Sequence, residues 1–147
     1  MMVSARMVLP LMIMTAACGD GASDAAPAGI QLGVDILSPP PGPIVADSLT
    51  VHFGANGEVT ITPATGTKAD GEAHFHLFVD AEVTPDGEVI PKGEGIYHLG
   101  DGADSVQVAV SPGLHRLIAV LAWGDHVPVA GATRDTIVIE VIPPMPL

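Results

Sequence analysis

From Ile30 onward the chain runs in short alternating stretches of Val, Ile, Leu and Thr. Gly, Pro and Asp clusters break these stretches roughly every ten residues, a spacing that belongs to antiparallel β-structure. Ser48–Gly54 shows the pattern plainly: Leu49, Val51 and Phe53 fall in one phase, Thr50 and His52 in the other. Because successive strand side chains point to opposite faces, such a run has one apolar and one polar side. The same reading predicts strands at Leu32–Leu37, at Glu58–Thr62 as a short edge, and at Ala73–Asp80 with Phe75, Leu77 and Val79 inward. Further strands are predicted at Ser105–Val110, Leu114–Trp123 and Thr133–Ile142, the last with Ile137, Ile139 and Val141 in phase. Leu114–Trp123 is the longest apolar run and the candidate for a central strand. Pro39-Pro40-Pro41-Gly42-Pro43, Pro85-Asp86-Gly87 and Ser111-Pro112-Gly113 supply turn chemistry, and Pro143-Pro144 ends the last strand. No window has strong helical periodicity, and 17 Gly with 14 Pro argue against long helices. The expected fold is all-β, an immunoglobulin-like antiparallel β-sandwich of about seven strands.

The first thirty residues have a different texture. Met7–Ala17 is apolar but only eleven residues long and interrupted by Pro10, far short of the about 20 residues a spanning helix needs. Arg6 precedes it and the small residues Thr15-Ala16-Ala17 follow, directly before Cys18, the one cysteine of the chain. This arrangement describes an export signal, and its end resembles the lipobox of bacterial lipoproteins. The resemblance implies cleavage before Cys18 and a diacylglycerol on its thiol; cleavage by the ordinary signal peptidase is the alternative. Gly19–Gly29 is small and polar, with nothing to bury against its ordering entropy, and reads as a flexible tether. The expected organisation is a signal peptide over 1–17, a tether over 18–29 and a β-sandwich domain over 30–147. The sandwich lacks the usual disulfide, since no second cysteine exists.

Charge narrows the partners. Seventeen acidic residues against five basic ones give a formal charge of −12, with the acids scattered along the chain. Such a surface repels nucleic acid and anionic headgroups alike. Membrane attachment then falls to the lipid, and a diacylated cysteine carries the two chains that stable anchoring requires. The expected location is the cell envelope, lipid-anchored and facing the periplasm. Gly19 after the cysteine, in place of an aspartate retention signal, favours the outer membrane over the inner.

The six histidines carry the candidate chemistry. His74 and His76 lie two apart on a predicted strand and so share a face, together with Asp80. Two imidazoles so placed can grip one ion if loops supply the remaining ligands. His98 follows a Gly-rich loop, and His126, beside Asp125, follows the longest apolar run. His74, His76, His98 and His126 are therefore candidate metal ligands, with Asp80 and Asp125 as weaker ones. Neutral imidazoles suit Zn²⁺ or Cu²⁺. Cu⁺ fits poorly, because Met145 is the one methionine beyond the signal. The alternative is that all these histidines are exposed polar positions on a half-solvated sheet. His52 reads as a surface residue, and His115, after Pro112-Gly113, as a corner residue bonding nearby backbone.

Several stretches, collinear from Ile36 to Val141, resemble a family of small exported bacterial proteins, domain of unknown function 4399. They are Ile36-Leu-Ser-Pro, Leu49-Thr-Val-His-Phe-Gly54, Ala73-His-Phe-His-Leu-Phe-Val-Asp80, Tyr97-His98-Leu99-Gly100, Ser111-Pro-Gly-Leu-His-Arg-Leu117, Gly124-Asp-His-Val-Pro128 and Thr136–Val141. The resemblance implies that His74, His76, His98, His115 and His126 cluster with Asp80 and Asp125. Two departures imply a thinner set: Phe75 stands where the family has the middle histidine of a triplet, and Val129 where it tends to carry another. The family brings no activity with it.

Enzyme motifs are missing from the sequence: no Gly-x-Ser-x-Gly elbow, no His-Glu-x-x-His, no phosphate-cradling Gly loop. Asp125-His126 has the makings of an oriented base, but no activated nucleophile can be assigned to it. The expectation is a non-catalytic envelope lipoprotein whose sandwich binds a divalent metal or polar ligand through clustered histidines. The alternative is a structural or protein-interaction component of an envelope assembly with no small ligand. Carbohydrate binding fits poorly, because Phe53, Phe75, Phe78, Tyr97 and Trp123 are the only aromatic side chains besides histidine.

Overall fold

The computed structural model describes residues 31–46 and 48–146. Cys18 and the expected signal and tether lie outside the described residues. Within them every regular element is a strand: β1 (Gly33–Ser38), β2 (Gly42–Val45), β3 (Leu49–Asn56), β4 (Thr60–Ile61), β5 (Glu72–Val79), β6 (Ile96–His98), β7 (Ser105–Val108), β8 (Gly113–Trp123) and β9 (Asp135–Ile142). They form two sheets, one ordered β1-β3-β7 and the other β2-β9-β8-β5-β4. β6 also pairs with β5, sharing with β4 the edge that β8 leaves free.

Period-two alternation builds the core between the sheets. Val51 and Phe53 of β3 face Phe75 and Leu77 of β5, Leu117, Ala119 and Leu121 of β8, and Ile139 and Val141 of β9, all buried. The Phe53 and Phe75 rings stack across the gap with centroids 5.4 Å apart. Each such aromatic or branched side chain contributes about 1.5–3 kcal/mol by leaving water. β8 occupies the central position its composition predicts, hydrogen-bonded to β5 on one side and β9 on the other.

The outer face of the larger sheet departs from expectation. On β5 and β8 it is covered rather than half-solvated. Residues 80–95, between β5 and β6, fold back over it and bury Ile90 against Phe78, Ile118, Val120 and Ala122, with Ala81, Val83 and Ile96 packed at the margin. Gly87 turns this excursion at φ 87°, where the Glu88 amide donates to the Pro85 carbonyl. β5 is therefore buried on both sides from Ala73 to Phe78.

Two strands lie where none is expected, β2 and β6. β2 runs parallel to β9 at the sheet edge, where Pro43 and its missing amide are tolerated. β6 is three residues long and is held only by its pairing with β5.

Candidate metal centre

β5 aims His74 and His76 away from the main core, into the layer beneath the 80–95 excursion. Both are fully buried, 0% and 2% exposed, which overturns the picture of solvent-facing histidines. β6 then delivers a third ring. His98 is the register partner of His76, so the two side chains lie on one face, with rings stacked at 4.8 Å. Gly100 makes this possible: a methyl group there would collide with the His98 ring.

The fourth ring comes from the turn after β8. His126 sits at φ 68°, a left-handed conformation that histidine adopts more readily than most residues. Its backbone is fixed at both ends. The His126 amide donates to the Trp123 carbonyl at 2.8 Å, and its own carbonyl accepts from the Ile90 amide at 2.9 Å. The ring meets His98 at 4.6 Å and His74 at 5.1 Å between centroids.

The ring nitrogens converge. His74 Nε2 and His76 Nε2 are 2.9 Å apart, and His126 Nε2 and His98 Nε2 are 3.1 Å apart. His74, His76 and His98 each offer a nitrogen within 4.8 Å of the others, close enough to hold one metal ion. Tetrahedral ligands at Zn–N bond lengths of about 2.0–2.1 Å lie about 3.3–3.4 Å from one another. The cluster is thus near the dimensions of a single coordination sphere.

Its electrostatics favour the neutral form of three of the rings. Burial lowers the His74 pKa from 6.5 to about 4, aided by the charges of His98 and His126 and opposed by Asp125. Burial, then His74, His98 and His126, lowers that of His76 to about 3. The His98 value is also lowered, by burial first and then by His126 and Lys92. Neutral imidazoles keep a lone pair, which is what coordination needs. The arrangement is costly: the Nδ1 atoms of His74 and His76 are both buried and without a hydrogen-bond partner.

The two carboxylates expected as weaker ligands stand apart from this cluster. Asp80 occupies the corner after β5, where its carboxylate accepts from the Arg116 amide at 2.8 Å and pairs with His115 Nδ1 at 2.7 Å. The Asp80 pKa is lowered: burial opposes the shift but is outweighed by the Arg116 amide and His115. His115 also donates through Nε2 to the Ser111 carbonyl at 2.7 Å, the corner role expected of it, and its pKa is raised by the Asp80 bond and then the Ser111 bond. Asp125 accepts the Val127 amide at 3.2 Å, which shapes the turn, and reaches His74 through its charge. His52 is exposed on β3, as expected. The residues the sequence reading missed are Gly100 and Ile90, which make room for one ring and fix the backbone of another. A glycine two residues past His98 is the one signal for the first.

Residues 51–142 match the sequence profile of a domain of unknown function, DUF4399. The chain belongs to the DUF4399 family. Phe75 and Val129, where the resemblance implied missing histidines, are both in the core between the sheets. An imidazole at position 75 would point away from the cluster, so Phe75 removes no ring from it. Among solved structures, the DUF4399 chain is similar to the fibronectin(III)-like modules of Clostridium thermocellum CbhA, at 18% identity and a TM-score of 0.44, covering 75% of this chain and 97% of that one. No curated protein matches the chain.

Two outcomes follow from the buried pair. Replacing both rings, His74→Leu with His76→Leu, should stabilise the metal-free protein by about 1–2 kcal/mol in urea unfolding, because two unsatisfied polar groups leave the interior together. His76→Leu alone should give no such gain, since it strands the His74 ring. For pH, the folded pKa values of about 4 and about 3 lie below the unfolded 6.5. The unfolded chain therefore takes up protons first, and metal-free stability should fall as pH drops from 6.5 toward 3. The double leucine variant should flatten that slope. His115 has the opposite sign: its raised pKa adds stability that is complete below 6.5 and lost as pH rises through its folded value.

Proposed function

We propose that this protein is a metal-binding module of the cell envelope, holding one Zn²⁺ or Cu²⁺ ion through His74, His76, His98 and His126. The observation that carries this reading is the convergence of Nε2 atoms at 2.9 and 3.1 Å in a site that disfavours protonation. Ring nitrogens that face one another at these distances need something between their lone pairs, a shared proton or an ion. An ion bound at the Nε2 atoms turns the facing lone pairs from a liability into four coordination bonds. Imidazole-only ligation matches the borderline ions and not the hard ones such as Ca²⁺ or Mg²⁺, which take oxygen ligands.

The module acts by binding and not by catalysis. With all four imidazoles engaged, a tetrahedral ion has no position left for substrate, which is the pattern of closed rather than catalytic sites. Attachment through a diacylated Cys18 would hold the module at the membrane. Among the described residues no helix is long and apolar enough to cross a membrane. The net charge of −12 attracts cations toward the domain while keeping it off anionic surfaces.

Calorimetry of the purified protein at neutral pH should show near-stoichiometric binding of Zn²⁺ or Cu²⁺. His76→Ala combined with His98→Ala should weaken binding more than about 100-fold with the β-sheet circular dichroism retained. Absence of heat for either ion in the wild type rejects the site. For the anchor, mass spectrometry of native protein should find residues 1–17 removed and a diacylglyceryl group on Cys18, and Cys18→Ala should move the protein from the membrane to the soluble fraction. Native protein retaining Met1 and a free thiol overturns the envelope reading.

A further inference from the structure

The four rings are not equivalent. Three are placed by the sheet: His74 and His76 on β5, and His98 in register with His76 on β6. These same three form the set whose nitrogens all fall within 4.8 Å of one another. His126 comes from a turn and reaches this set from outside it. Beside the rings opens a cleft of about 490 Å³, lined by His76, His98 and His126 and walled by Val89, Pro91 and Ile96. Its volume is that of a small-molecule site. Lys92 also lines it, the one cationic residue to do so, and its charge is felt at His98.

We infer that the fourth metal position is exchangeable, and that a small organic carboxylate with an apolar body binds in this cleft and takes the position from His126. The inference rests on the metal reading above. Three neutral imidazoles leave a divalent ion with its full charge in a partly buried place, so an anionic fourth ligand is favoured over a fourth neutral one. A carboxylate fits both ends of the cleft. One oxygen bonds the ion as the bond to His126 Nε2 breaks, the bonding pair staying on that nitrogen, and the other oxygen faces the Lys92 ammonium. The body of the molecule lies against Val89, Pro91 and Ile96. Chloride or phosphate would meet the ion and the lysine equally well but would leave the apolar wall unused, and this selects an organic acid over an inorganic anion.

The test is full-length protein loaded with Co²⁺, whose visible absorption reports the ligand set, titrated with acetate and with benzoate. Benzoate is expected to change the spectrum saturably and to bind about tenfold or more tightly than acetate, through its buried ring. Lys92→Gln should weaken benzoate several-fold with Co²⁺ affinity unchanged; His126→Ala should keep Co²⁺ with about a tenfold loss and bind benzoate more tightly, having no competing ring. A spectrum that neither acid moves, in wild type or His126→Ala with Co²⁺ still bound, overturns the exchangeable position. Equal binding of the two acids, or a Lys92→Gln variant indistinguishable from wild type, overturns the cleft as the carboxylate's seat. Failure of Co²⁺ to bind, visible before any acid is added, overturns the metal reading itself and this inference with it.

Discussion

From Ala73 to Phe78 β5 is buried on both faces, and it carries two imidazoles into that position. Its inner face is ordinary: Phe75 and Leu77 pack between the sheets, with Phe75 stacked on Phe53. Its outer face alternates His74, His76 and Phe78, and the layer over it is correspondingly divided. Phe78 meets Ile90, Ile118 and Val120 in an apolar cluster, while the two histidines meet each other and the rings of His98 and His126. Excursion 80–95, β6 and the turn at Gly124–Val127 each contribute to this cover. The Ile90–His126 backbone bond ties two of them together. The site is thus built from the same alternation that builds the sandwich, continued one layer further out.

The two ends of β5 show how environment sets the state of one residue type. At the Asp80 corner, His115 has a carboxylate on one nitrogen and a carbonyl on the other, so both nitrogens donate and the charged form is favoured. At the opposite end, the Nδ1 atoms of His74 and His76 have no partner, burial dominates, and the neutral form is favoured. Asp80 therefore belongs with the structural corner. With φ 54° and its amide bonded to the Arg116 carbonyl, it turns the chain out of the sheet and starts the excursion that covers the histidines. Its contribution to the site is positional.

Much of this was legible in the residues, and what was missed has physical causes. Phase placed His74 and His76 together because a two-residue spacing admits no other result on a strand. Burial was harder to read, although Leu117–Ala122 is apolar in both phases and Phe78 shares the histidine phase, the marks of a sheet covered on both sides. β6 escaped because three residues flanked by Gly93, Gly95 and Gly100 carry no periodicity; only pairing with β5 makes them a strand. The pairing of His98 with His76 is a tertiary fact that no local pattern encodes. Phe75, read from its phase as inward, is a core residue on the far face of the strand, so a histidine missing there thins nothing.

Buried imidazoles that resist a proton are not thereby closed to a metal ion. Protonating His76 places a full charge in the interior and leaves it facing three other rings, all acting against it. A proton can be shared by two nitrogens at most. A transition-metal ion accepts lone pairs from all the rings at once, and each bond offsets part of the desolvation that a proton must meet almost alone. In the metal-free state one ring of the His74–His76 pair must donate through Nε2 and the other accept. That leaves one buried Nδ1 as an orphan donor and the other as an orphan acceptor. No choice of tautomers satisfies both. The folding of the sheet nonetheless holds His74, His76 and His98 with ring nitrogens within 4.8 Å of one another, close enough for one ion.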